Sequence, residues 1–457
     1  MSIFRVKTTE CRVGVVGLYN SGKTVLLTSL INHLQDYDAD RFALGGRDTR
    51  LRKFVTLPPD AGWEAFNYAG CRDALVHGGR WPGKTRDRSQ YACRFERSDW
   101  TFSDCQLKLY DLPGERIADA AMLGRDFAGW SEHVLSLVAN DAGYRTCCQP
   151  FLTALSDPAP TEAGLLRAYK LSLANLILNF KPLISPSTFL LDVKGQPAKP
   201  STPEVLAESR YLGLSPDAEF CPLTVSLRGV MPETAARFAT RYDAYVKQVV
   251  EPAVLALKSC TALIVLVDVT MLLAGGVGMY DDNRQILRDL LDVLAPGEHP
   301  VFGPLARGLG KVFLPHSLRP GWITRLAFVA PKMDLVHPTD RDRMLGLTKR
   351  MVEKYADNRD GLKHRFFNVS SIVSTKVLPL ENGRRALVGV PLRDAEGRKL
   401  PPGPEQRFAV SPLPDDWPRS WNPGEFAFPE VYPQMPARKD YPPEHVNVDQ
   451  VASFVIE

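Results

Sequence analysis

The octet Gly17-Leu18-Tyr19-Asn20-Ser21-Gly22-Lys23-Thr24 has the residue types and spacing to hold a chain of phosphates. Gly17 and Gly22 let the backbone turn and approach an anion closely. Backbone N–H groups along Asn20, Ser21 and Val25 and the start of the next helix then face a β-phosphate, while Lys23 adds a mobile positive charge. The Thr24 hydroxyl is placed for Mg²⁺.

Three further groups could complete that chemistry. Asp111 and Gly114, in Asp111-Leu112-Pro113-Gly114-Glu115, have the DxxG spacing that puts a carboxylate on Mg²⁺ through water and a backbone N–H on a γ-phosphate. Asp-x-Pro-Gly is also a common turn, but the complete loop upstream favours the functional reading. Glu115 follows where Ras-type GTPases carry a water-orienting glutamine, so it is a candidate to orient the attacking water. A carboxylate beside a γ-phosphate is electrostatically costly, which predicts slow intrinsic hydrolysis or a need for a partner. Thr85 is the candidate switch threonine closing over Mg²⁺ and the γ-phosphate, with Thr56 second. Lys332 and Asp334 have the KxD form of a guanine-selecting loop: the lysine stem lies along the base, and the carboxylate accepts two N–H bonds that adenine does not offer. Ser371 and Ile372, in Ser370-Ser371-Ile372, form the supporting loop, with a backbone N–H for the guanine oxygen.

The surrounding pattern positions these groups. Arg12 to Val16 is a β-branched run ending at the octet, and Val25, Leu26, Leu27, Leu30, Ile31 and Leu34 recur at helical spacing after it. Gln90 to Phe95 and Gln106 to Tyr110 alternate like paired strands, the second delivering Asp111 and the first starting just after Thr85. Leu263 to Val269 is a continuous apolar run closed by Asp268, as in a parallel strand covered on both faces. Arg325 to Ala330 leads to Lys332, and Arg365 to Val369 to Ser370. Helices are expected over 284–295 and after Thr339, read as an N-cap with Asp342 at the capping-box offset. Gly275 to Gly278 lacks the Lys and Ser/Thr of an anion loop and reads as a flexible connection. Gln35 to Arg88 is polar and turn-rich, a long functional or mobile loop.

Residues 116–258 lack β alternation. Stripes through Leu166, Tyr169 and Leu173, and through Tyr242, Val246, Val249 and Val250, mark helices, with Pro252 a possible kink and 182–222 a proline-punctuated loop. Beyond Val377, 387–392 and 398–400 flank a hairpin turn, 401–443 is rich in proline and aromatics as in chain laid over a surface, and 448–455 is a docking helix.

With 457 residues, 44% hydrophobic, 24% charged and a net charge of +4, the composition is that of a multi-unit globular protein with no basic clustering for nucleic acid. No apolar run reaches the length of a membrane span and residues 1–10 lack a signal-peptide core, so the expected compartment is the cytoplasm. The eight cysteines contain no CxxC pair and read as reduced, buried thiols. Adjacent Cys147 and Cys148 bridge poorly and have no nearby His for a metal.

The octet, the DLPGE motif, the helical stretch, Pro331-Lys332-Met333-Asp334, the Val369-Ser370-Ser371-Ile372 loop and the ending His445 to Phe454 together resemble the YcjX-like family of bacterial stress-associated GTPases. The likeness spans essentially the whole chain, including Trp81 to Thr85 and Leu387 to Leu392. It implies an α/β, Ras-like P-loop NTPase with a mostly parallel sheet, a large helical insertion and a proline-rich C-terminal extension. It also implies a link to stress response, and it favours Thr85 over Thr56. Pro331 stands where GTPases usually place Asn or Thr. Asn20 stands where the family tends to have a basic residue, and resembles GTPases that recruit K⁺.

The combined expectation is a GTPase domain in two parts, 1–115 and 259–377, split by an insertion at 116–258 and followed by 378–457 packed on it. Lys23, Thr85 and Glu115 are the catalytic candidates, and Thr24, Thr85 and Asp111 the Mg²⁺ ligands. GTP and GDP are the expected ligands, with K⁺ a second ion, and a protein effector would act through the insertion. Alternatives are an ATPase on the same scaffold and a nucleotide-held interaction module with negligible turnover.

Overall fold

The computed structural model describes residues 7–17, 20–83, 88–100, 103–112, 119–140, 142–176, 178, 202–208, 218–294, 323–353, 362–378, 386–394, 397–439 and 441–457. Backbone contacts divide the chain into two compact units: 1–112 with 257–280 and 295–457, and 113–256 with 281–294.

The first unit is built on β1 (Lys7–Gly17), whose second half, Val13, Val15 and Val16, is fully buried. Helix α1 (Lys23–Gln35) follows the octet and buries Leu26, Leu27, Leu30, Ile31 and Leu34, the stripe the sequence marked. The sheet also contains β2 (Leu51–Leu57), β3 (Glu64–Ala65), β4 (Ser89–Arg97), β5 (Ser103–Asp111), β6 (Ala262–Leu266), β7 (Arg325–Ala330) and β8 (Lys363–Asn368). Its order is β2-β4-β5-β1-β6-β7-β8, with β3 on β4. From β5 to β8 every pairing is parallel. The β4 and β5 pair is antiparallel, Gln90 opposite Tyr110 and Cys93 opposite Leu107, as the two alternating runs predict. Every residue of β6 is buried, which explains its unbroken apolar sequence.

The stretch 35–88 is more ordered than a loop. It holds β2, β3 and a short helix, α2 (Tyr68–Val76), capped by the Asn67 side chain on the Gly70 N–H. A register shift between Arg52 and Val55, with Lys53 at φ 52°, breaks the alternation of β2, which hides the strand from a period-two reading. Residues 275–278 are likewise not a flexible connection. They lie within a helical stretch, Val269–Leu294, interrupted only at Gly276. The groups freed at that break bond to a turn of the C-terminal region: Val277 N–H to Trp421 O at 3.1 Å, Gly424 N–H to Ala274 O at 2.8 Å and Trp421 Nε1–H to Leu273 O at 2.9 Å. The helix beyond β7 spans Arg341–Val352 after a separate turn, Pro338–Asp340, so Thr339 lies before its start and bonds His337 rather than capping it.

The C-terminal region forms a second sheet in which β10 (Ala386–Gly389) lies between β9 (Lys376–Val377) and β11 (Gln406–Ala409). The expected hairpin is present, with Leu400 N–H on Leu392 O and Asp394 N–H on Arg398 O, both 3.0 Å. Extended chain follows, held by Trp417 Nε1–H on Leu347 O at 2.8 Å and Tyr432 N–H on Val390 O at 2.8 Å. The final helix, Val448–Ile456, buries Val448, Val451, Phe454, Val455 and Ile456 in the same core as α1 and β1.

The second unit is helical in its described residues. Its core gathers Phe127, Trp130, Phe220, Phe238, Tyr242 and Tyr245 around ring contacts such as Trp130 to Phe220 at 5.2 Å. Helix Pro232–Tyr245 passes through a π-turn, Val246–Val250, before continuing as Glu251–Lys258. The wider turn absorbs the missing N–H and ring bulk of Pro252. Leu165, rather than Leu166, joins Tyr169 and Leu173 on the buried face of helix Glu162–Asn175. Most of 182–222 lies outside the described residues.

Candidate functional site

The parallel strands bring Gly17, Asp111, Lys332 and Ser370 to one edge of the sheet. Gly17 ends β1 opposite Leu266 at the end of β6, and Asp111 ends β5 opposite Val15. β7 and β8 end in register at Ala330 and Asn368, with Lys332 and Ser370 two residues beyond. A ligand crevice outside the carboxyl ends of parallel strands is the common site in open α/β sheets.

In the octet, a Cβ on Gly17 would lie 2.7 Å from Ser21 Oγ and 2.8 Å from Leu266 Cβ, and Gly22 has φ 90°. Both glycines are therefore required by the turn itself. Asn20 is exposed with φ 60°. Lys23 is buried and its Nζ donates to Gly17 O at 2.7 Å, so the ammonium is folded over the loop. Thr24 and Val25 are half-buried in the first turn of α1. Ser21 Oγ is buried and has no hydrogen-bond partner among the described residues. Asp111 is fully buried. A hard divalent cation takes oxygen ligands, and the Thr24 hydroxyl and Asp111 carboxylate are donors of that kind, so these residues fit Mg²⁺. Thr85, Gly114 and Glu115 lie outside the described residues. Thr56 sits in edge strand β2 with its hydroxyl 3.2 Å from Tyr91 OH.

Beyond β7, Lys332 has a left-handed backbone, φ 61° and ψ 34°, and its Nζ lies 2.5 Å from Asp268 Oδ2. Asp334 is buried; Ser370 Oγ donates to its Oδ1 and Ser374 N–H to its Oδ2, both at 2.8 Å, and Ser374 Oγ bonds Oδ2 as well. Thr375 Oγ1 donates to Asp334 O at 2.5 Å. Ser371 is half-buried and Ile372 buried. The carboxylate is thus held by Ser370, inside the expected supporting loop, and by Ser374, which the sequence did not mark, while Thr375 holds the backbone carbonyl of the same residue. Ser374 and Thr375 come two and three residues after that loop ends at Ile372, where only the fold brings the chain back. The C-terminal region steadies the same loop: Val373 N–H bonds Glu444 O at 2.8 Å, Ser370 N–H bonds Val446 O at 3.1 Å, and Gln434 N–H bonds Val373 O at 3.3 Å.

The fold is therefore α/β of the Ras-like P-loop type, with a glycine loop, a buried aspartate and a Lys-x-Asp segment on one edge of a mostly parallel sheet. The profile of the YcjX-like family, DUF463, matches residues 11–457, and the chain belongs to that family. A protein of Escherichia coli strain K12 named "Ras-like GTPase YcjX" is 24% identical over 477 residues, covering 97% of this chain and 95% of its own. A protein of the same name from Shewanella oneidensis is 23% identical over 490 residues, covering 99% and 95%. Among the described residues no helix is long and apolar enough to cross a membrane.

Proposed function

We propose that this chain binds GTP with Mg²⁺ and hydrolyses it, as a nucleotide-dependent switch of the cytoplasm linked to stress response. The observation that carries the reading is the common edge: the octet, Asp111, Lys332 and Asp334 arise from strands β1, β5 and β7 of one parallel array. The names of the two relatives support guanine as the base.

In this reading Gly17, Asn20, Ser21, Gly22, Lys23, Thr24 and Val25 cradle the phosphates. Lys23 leaves the Gly17 carbonyl to meet them, exchanging one acceptor for a charged one. Thr24, Asp111 and Thr85 hold Mg²⁺, which when bound neutralises charge on the β- and γ-phosphate oxygens. Gly114 presents its N–H to the γ-phosphate and Glu115 orients the attacking water. Asp334 accepts from guanine, with Lys332 along the base and the Ser371 and Ile372 backbone at the guanine oxygen. Asn20, exposed in the turn before α1, is the candidate K⁺ ligand. Residues 1–115 and 259–377 form the GTPase domain, 378–457 brace it, and 116–258 is an effector-facing insertion.

One observation favours a laxer base choice, including ATP: Ser374 already places two donors on Asp334 Oδ2, and an sp² oxygen has two lone pairs. Competition of labelled GDP by GDP and ADP, with phosphate release from GTP measured with and without Mg²⁺, tests both readings. Selective displacement by GDP and Mg²⁺-dependent release support the proposal. Equal displacement by ADP favours the laxer site, and release no faster than from free GTP removes hydrolysis.

A further inference from the structure

We infer that Asp268 is a positioning residue for base selection, holding Lys332 in the orientation in which its stem lies along a purine. The inference rests on the guanine reading of Lys332 and Asp334 and adds to it a group outside the Lys-x-Asp segment. Asp268 lies two residues past Leu266, the β6 residue opposite Gly17. Its side chain is fully buried, and its Oδ1 accepts from Thr270 Oγ1 at 2.7 Å and Met271 N–H at 3.0 Å, capping the helix that starts at Val269. Those bonds fix the carboxylate and turn Oδ2 toward Lys332, 2.5 Å away.

A buried carboxylate is costly unless paired, and Lys332, with a side chain 35% exposed, is the partner the structure supplies. A lysine stem has several rotamers to lose before it can serve as one wall of a base site, and an ion pair made in advance removes that loss from binding. In this chain Pro331 has no side-chain donor or acceptor with which to brace the segment. The bracing comes instead from the neighbouring strand, through charge. Pairing Lys332 with Asp268 also keeps that ammonium off Asp334, whose carboxylate is held by neutral donors, the Ser370 and Ser374 hydroxyls and the Ser374 N–H.

The rival explanation is that Asp268 only caps a helix. Asp268→Asn separates the two, because asparagine caps as well as aspartate but carries no charge for Lys332; Asp268→Ser, also a capping residue, gives a second route should the asparagine variant unfold. The measurement is competition of a fluorescent GDP by GDP, ADP and inorganic pyrophosphate on the full chain, for wild type, Asp268→Asn, Lys332→Met and the double variant. Positioning predicts that Asp268→Asn weakens GDP about tenfold and narrows the GDP-to-ADP ratio. It leaves pyrophosphate, which has no base, unchanged, and the double variant binds no more weakly than Lys332→Met. The proposal is overturned by a variant as selective as wild type, by equal weakening of GDP and pyrophosphate, or by single effects that multiply in the double variant. A wild-type protein that does not prefer GDP over ADP removes the guanine reading and this proposal together, an outcome distinguishable from the loss of this proposal alone.

Discussion

Acidification should weaken the first unit through a buried imidazole at the end of α1. His33 is 4% exposed, stacked on Phe42 with ring centres 5.2 Å apart, and edge-on to His445 at 4.4 Å. Its Nε2 lies 3.3 Å from Pro443 O. Burial first and the neighbouring His445 second push its pKa down to about 3, against the opposing pull of the Pro443 carbonyl. The unfolded chain holds the same group near 6.5. Since the folded value is the lower one, the unfolded chain takes up the proton first. Stability is therefore intact above about pH 6.5 and falls by about 1.4 kcal/mol per unit below it, until the folded form titrates. At about pH 5 the loss from this group is about 2 kcal/mol. Urea unfolding of wild type and His33→Gln at neutral pH and at about pH 5 isolates it, because other titrating groups are common to both proteins. The variant should lose about 2 kcal/mol less than wild type on acidification. Identical losses, or an imidazole of His33 that titrates near its ordinary value by NMR, would refute the reasoning.

Other consequences follow from the same contacts. Lys23→Ala removes the charge that serves the phosphates, and nucleotide affinity should fall at least about a hundredfold with the fold retained; calorimetry showing wild-type affinity would contradict the role. Tyr245→Phe deletes the donor that reaches Asp119 Oδ2 at 2.6 Å, a buried bond whose loss costs about 1–3 kcal/mol. Hydrogen exchange should quicken in the Asp119–Gly124 turn, and unchanged rates would show the bond to be idle. If the insertion reads the nucleotide, its exchange protection and the protein's scattering profile should differ between GTP- and GDP-loaded forms, and identical data in both would dismiss a switch there.

Local signals made much of this architecture readable. β6 is a run of five buried aliphatic residues, and the octet comes with its strand and helix, so neither depends on distant chain. β2 was hidden because a bulge at Lys53 breaks its period. The part of the helical stretch 269–294 that precedes the expected helix at 284 was hidden because its glycines argue for a break, and the break is real but confined to Gly276, where the Trp421 turn satisfies the freed groups. At the site, chemistry carried by a motif was legible and chemistry carried by tertiary contact was not. Ser374 reaches Asp334 across 40 residues, and Asp268 reaches Lys332 from a neighbouring strand, with no spacing rule to announce either.

In the proposed site Asp334 reads guanine. Asp334→Asn replaces an acceptor pair by an amide that can donate, which suits xanthine, whose C2 oxygen stands where guanine carries its amino group. The variant should lose its preference for GDP and bind xanthosine diphosphate instead, measured by competition against a fluorescent nucleotide. A variant that still prefers GDP, or that binds neither base differently from wild type, would contradict it.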